Sequence, residues 1–215
     1  MRKIIILMFS VLIITSCTTT IPLQTNLNDQ TMLLAKNRNI KANYTLVSNI
    51  PDGYIPYISV QKNGKEDVNN TSYKYGSETA YKKIWSSYFS SKFNNYADDQ
   101  MDIEVTLKEL KLREQAATSI GMTMLTGNTK VNVDAIAKIH VLVDYHGKTY
   151  ENQFEVNASA YNESQQMQTG SYNYTLNQTN PTQQKSKLLE SCLNKSVIQF
   201  ENFVRSIILS DKERE

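Results

Sequence analysis

The stretch VNVDAIAKIHVLVDYHGKTYENQFEVNASA, residues 131–160, decides the fold of this chain. Its apolar side chains fall on alternate positions. They are Val131, Val133, Ala135, Ala137, Ile139, Val141, Val143 and Tyr145 before His146-Gly147, then Tyr150, Phe154, Val156, Ala158 and Ala160 after it. A period of two is that of a strand with one buried face. His146-Gly147 reads as a tight turn, because glycine accepts the positive φ that a two-residue hairpin loop needs. Such a loop pairs Tyr145 with Lys148, Val143 with Tyr150, Ile139 with Phe154 and Ala137 with Val156. Both apolar sets then share a side, so pattern and register agree. The other side carries Asp134, Lys138, His140, Glu151 and Glu155 and is expected to be wet. This alternation suits an antiparallel sheet covered on one face.

Upstream, Met101, Ile103, Val105 and Leu107 alternate with charged and polar residues, and the apolar phase then slips by one to Leu110 and Leu112. A one-residue slip inside a strand is what a β-bulge produces. Before it, Ser77 stands as a cap for a helix from about Glu78 to Phe93. Tyr81, Ile84, Trp85, Tyr88, Phe89 and Phe93 make its apolar side, an aromatic stripe that suits packing on a sheet or, alternatively, a ligand. Tyr44–Val47 and Tyr54–Gln61 have strand character, but Pro51, Gly53 and Pro56 suggest an edge or a loop. Lys62–Ser72 is polar, contains the turn signal Asn63-Gly64, and is expected to be exposed.

Downstream, Tyr161–Gln184 is rich in Asn, Gln, Ser and Tyr, part of it suited to an extended arm. Pro181 stands near the start of a long amphipathic helix, in which Leu188, Leu189, Cys192, Leu193, Val197, Phe200, Phe203, Val204, Ile207 and Ile208 recur at helical spacing. The fold class is therefore α+β. We expect a two-layer sandwich, an antiparallel sheet with two helices on one face.

The chain opens with Arg2 and Lys3, an apolar run Ile4–Ile14, small residues, and Cys17. The run is short for a membrane span, which needs roughly 20 apolar residues, and has the layout of a signal peptide. Ile14-Thr15-Ser16-Cys17 resembles the bacterial lipobox. That resemblance implies cleavage before Cys17 and a diacylglyceride and further acyl chain (such as palmitate) on it, a stable anchor. Thr18 in place of an aspartate favours the outer membrane, in a host that has one. We expect residues 1–16 to be the lipoprotein signal peptide. Residues 17–40, rich in Thr, Asn and Gln, are expected to be the lipidated N-terminus and a flexible tether. Residues 41–215 are expected to form a single α+β domain.

Strand, helix, three strands and helix in this order resemble the YajG-like family of small bacterial lipoproteins. The likeness runs from the Ser77 helix through Met101-Asp-Ile-Glu-Val-Thr-Leu-Lys-Glu-Leu and the His146-Gly147 hairpin to the last helix. It is one of architecture, shared with other envelope lipoproteins such as auxiliary subunits of lipid-transport systems. The family implies the outer membrane and no established catalysis, and it brings no catalytic residues.

Without the leader the chain carries 21 basic side chains, two fewer than the full 23, against 21 acidic ones. No basic stripe is present, so nucleic acid is not an expected partner. Cys192 is the one cysteine left after Cys17, and it reads as a buried helix residue. G-x-S-x-G, P-loop and H-E-x-x-H patterns are absent. Asp144 lies near His146 without a serine context, and Asp98, Asp99 and Asp102 lack the spacing of a calcium loop. No enzyme activity, metal or cofactor is expected.

The segment Gln115–Asn128 joins two strands and includes Ala116, Ala117, Ile120, Met122, Met124 and Leu125. Apolar loops pack locally or meet a partner, and methionine adapts to varied surfaces. Ile120, Met122, Met124 and Leu125 are thus candidate contacts for protein or lipid. The expected function is that of a non-enzymatic adaptor or assembly accessory in the cell envelope, anchored at Cys17 and meeting an envelope protein. The alternative is a lipid- or amphiphile-binding or transport-auxiliary lipoprotein.

Overall fold

The structure, a computed structural model, describes residues 20–35, 37–61, 63–116, 128–165 and 181–212. In these residues the order is β1 (Thr20–Ile21), α1 (Asp29–Leu34), β2 (Lys41–Ser48), β3 (Gly53–Val60), β4 (Glu66–Tyr75), α2 (Ser77–Lys92), β5 (Gln100–Ala116), β6 (Asn128–Tyr145), β7 (Lys148–Gln165) and α3 (Pro181–Lys212). The strands form one mixed seven-stranded sheet, ordered β1-β4-β3-β5-β6-β7, with β2 also paired to β5.

The hairpin has the register read from its alternation, Tyr145↔Lys148, Val143↔Tyr150, Ile139↔Phe154 and Ala137↔Val156. Both turn residues take positive φ, 48° at His146 and 71° at Gly147, as a two-residue turn matched to strand twist requires. The ladder runs on to Asn128↔Gln165, so the polar stretch after Ala160 continues as strand through Gln165. The β5–β6 register shifts between Leu107 and Glu109, where the apolar phase slips.

The sheet is not antiparallel throughout. Both β2 and β3 run parallel to β5, from Lys41↔Gln100 to Ser48↔Leu107 and from Tyr57↔Leu112 to Val60↔Gln115. They follow one edge of β5 as a single interrupted strand. Local alternation sets which face is buried, not the direction of the neighbour, so the parallel pairs left no trace in it. β3 also lies between β4 and β5, not at an edge. A register shift between Tyr54 and Pro56 accommodates the proline, and pairing to β5 begins only at Tyr57. The polar run Lys62–Ser72, expected to be merely exposed, holds the first seven residues of β4, which buries Thr71 and Tyr75 and exposes most of the rest.

The inward residues of β5, β6 and β7 share one core with α2 and α3. Trp85 stands 5.2 Å from Phe200, ring to ring, and Tyr88 and Phe89 also pack on Phe200. The Tyr81 hydroxyl donates to the Val105 carbonyl (2.7 Å). Each fully buried large side chain contributes roughly 1.5–3 kcal/mol.

Ser77 is the first helical residue of α2, not its cap, and its hydroxyl donates to the Pro51 carbonyl (3.1 Å). The cap comes from Asp52, in the β2–β3 turn, whose carboxylate accepts from the Thr79 amide at 3.0 Å.

The segment read as a flexible tether is packed from Thr20 onward. Thr20 and Ile21 pair with Lys74 and Tyr75. Asn28 caps α1, and Leu23, Ala35 and Ile40 join the core. The Gln24 and Asn28 amides donate to Glu190 (2.7 Å) and Asn194 (2.9 Å) of α3. Polar composition suggested a linker, but a few spaced apolar residues with partners far along the chain suffice to order it.

Candidate functional site

Every element of the sheet has two flanks to satisfy. The longest open flank among the described residues belongs to β7, which pairs with β6 alone over 18 residues. Its outward-facing side chains, such as Glu151, Gln153 and Glu155, are polar and exposed, and Val156 and Ala158 point into the core. Lys195 of α3 reaches over this flank and donates to the Asn157 carbonyl (3.1 Å). In an antiparallel ladder the backbone groups alternate toward and away from the partner. The Asn157 contact therefore assigns Gln153, Glu155 and Ser159 to the set facing away from β6. A shallow groove of about 360 Å³ runs beside it, lined by Glu155, Val156, Asn157, Lys195, Ile198 and Gln199. A lysine over an open edge is a common guard against unwanted strand pairing, and among the described residues no strand pairs with this flank.

Two polar clusters hold the helices to the rest. In the first, Arg38 donates to Glu201 (2.6 Å), Tyr88 donates to the other Glu201 oxygen (2.7 Å), and Arg38 lies over the Phe93 ring (5.2 Å). Both charges are buried. The guanidinium pKa is raised despite burial, because Glu201 and Tyr88 favour the cation, while burial drives the Tyr88 hydroxyl far up and keeps it neutral.

The second cluster lies at the hairpin turn. His146 Nδ1 meets Asp211 at the end of α3 (2.5 Å), its Nε2 meets Asp99 (3.0 Å), and Tyr145 donates to the other Asp99 oxygen (2.7 Å). Lys148 adds a 3.4 Å contact to Asp211. Asp211 and then Asp99 raise the His146 pKa, and His146 lowers that of Asp211.

The residues weighed for chemistry are otherwise engaged. Asp99 belongs to the His146 cluster, Asp102 accepts from Asn43 and Gln100, and Asp144 accepts from Thr149. No group of three or more metal-ligating side chains occurs among the described residues. His140 pairs with Glu151 (2.7 Å) on the outward face. There Glu109, held below its usual range by Lys111 and Lys138, ties neighbouring strands. Cys192 is buried against the Ala135 and Val156 carbonyls, and burial pushes its thiol up to about 12. It is a packing residue.

Cys17 and the contact candidates Ile120, Met122, Met124 and Leu125 lie outside the described residues. β5 and β6 flank that segment and are paired as far as Ala116↔Val131. Sequence reading missed Arg38, Glu201 and Lys195. Glu201 left a signal, a carboxylate on the apolar stripe between Val197 and Val204. Arg38 and Lys195 left none.

No family model matches this chain, and no curated protein matches it. Among solved structures, protein XCC0632 from Xanthomonas campestris, of the family DUF330, is similar in fold. Its TM-score is 0.53 at 8% identity, over 91% of this chain and 99% of that one. A crystal structure of an uncharacterized protein overlaps more loosely, with a TM-score of 0.39 at 11% identity over 88% of this chain and 99% of the other. The first shows a shared fold and nothing finer.

Proposed function

We propose that this chain is a lipid-anchored cell-envelope protein, attached through Cys17 to the periplasmic face of the outer membrane, where it acts without catalysis as an adaptor or assembly accessory. Kinship with YajG-like lipoproteins, and a two-layer arrangement with both helices on one face, belong to the same reading. The lipobox supports the anchor. The observation that carries the adaptor role is the open flank of β7, 18 residues long and guarded by Lys195 at Asn157. An open strand edge accepts a partner's strand through backbone hydrogen bonds. The alternative, a lipid held between helices and sheet, gains nothing from the aromatic stripe. Trp85, Tyr88 and Phe89 fill that space with one another and Phe200.

Ser159→Pro removes a backbone N–H from the open flank and leaves the β6–β7 ladder its donors. A photo-crosslinker at Gln153 in the full chain, in cells, is expected to capture one recurrent envelope protein. The proline variant, folded by circular dichroism, is expected to lose it. Capture of lipid, or capture indifferent to the proline, overturns the reading.

A further inference from the structure

The packed N-terminal segment has a consequence for where the membrane lies. Thr20 is fixed in the sheet through Lys74, and Ile21 is held through Tyr75 and the Gly76 amide (3.0 Å to the Ile21 carbonyl). Only Thr18 and Thr19 separate Cys17 from Thr20. Three residue steps span at most ~11 Å however the chain runs. Beyond the hydrocarbon core, a bilayer's headgroup layer is roughly 5–8 Å thick on each side.

Thr20 is bordered by an exposed corner of the sheet. Lys74 pairs with both Thr20 and Tyr54, and its ammonium lies 5.5 Å above the Tyr54 ring. Tyr54 is 45% exposed and Tyr73 is 51% exposed. Adjacent strands are about 4.8 Å apart, so this corner lies within ~10 Å of Thr20. Tyrosine and lysine are the side chains that settle at a membrane–water boundary, ring toward the acyl chains and polar tip toward water. The acidic residues farther along β4 are matched, Glu66 by Arg113 (2.9 Å) and Asp67 by Lys65 (3.6 Å).

We propose that the corner formed by Thr20, Tyr54, Tyr73 and Lys74 rests on the bilayer that holds the acylated Cys17. This rests on the lipoprotein reading above and fixes the orientation that reading leaves open.

The test uses the full lipidated chain in phosphatidylcholine/phosphatidylglycerol vesicles, with a nitroxide at Tyr73→Cys or, for reference, at Tyr96→Cys in the turn before β5. Tyr96 is 94% exposed. Accessibility to an aqueous nickel chelate is expected to be several-fold lower at 73 than at 96. A linker of about 20 Gly/Ser residues between Thr18 and Thr19, reaching ~25 Å, is expected to raise accessibility at 73 several-fold and leave 96 unchanged. A label at 73 as exposed as that at 96 without the linker overturns the proposal. A label at 73 whose accessibility does not rise with the linker is shielded by protein rather than by the bilayer, and also overturns it. Intact mass separates the two readings. A chain without acyl groups on Cys17 overturns the lipoprotein reading itself, whereas an acylated chain with an exposed label overturns only the orientation.

Discussion

Glu201 is a carboxylate placed on an apolar helix face, and its two oxygens are divided between Arg38 and Tyr88. A buried pair adds little over apolar packing, but removing one partner strands the other charge. Glu201→Ala is therefore expected to cost about 3–5 kcal/mol in urea unfolding. Changing Arg38 and Glu201 together to Met and Leu is expected to cost much less. His146 offers a titration. Its pKa is raised by Asp211 and Asp99, so its contribution is complete below the ordinary histidine value of about 6.5 and fades as pH rises through the folded value. Asp211 is lowered by His146, so its contribution is present above the ordinary carboxylate range and is lost as pH falls through the depressed value. The contact is strongest between these limits. His146→Asn, which tolerates the positive φ, is expected to flatten the fall in melting temperature as pH rises above ~6.5.

Elements were legible where one face is buried and the period is two. The β6–β7 register and the β5 bulge followed from alternation alone, because a one-residue error would expose every apolar side chain. The elements that misled the reading depend on distant residues. β4 is polar because most of it faces water, and the parallel run of β2 and β3 is decided by where β5 sits. The cap of α2 comes from Asp52, some 25 residues before the Ser77 that local pattern favoured. Asp52→Ala is expected to lower stability by about 1 kcal/mol, and Ser77→Ala to remove a contact to Pro51 rather than a cap. Chemical denaturation of the two variants side by side checks the assignment.

At the scale of the molecule, the mixture of helices with one large sheet could be read directly, but the open flank of β7 could not. An open strand flank is defined by which neighbour is missing, and no local pattern records that. The same holds for the N-terminal segment, whose polar composition concealed Leu23, Ala35 and Arg38. Deleting residues 18–37 would leave a linker's role intact if they were a tether. Here the deletion is expected to destabilise the domain by several kcal/mol, since it removes the buried Leu23 and Ala35 and the Gln24 and Asn28 bonds to α3. Thermal unfolding of the deleted and intact chains decides it.

The same fastening sets a timetable. Arg38 finds Glu201 163 positions later, and Gln24 and Asn28 wait for residues 166 positions away. Contacts so remote in sequence close late and slowly. A chain delivered N-terminus first thus emerges with its earliest segment unfastened, and completion of the domain waits for its final helix. A shortened chain lacking α3 would be a substrate for proteases and chaperones rather than a smaller version of the protein.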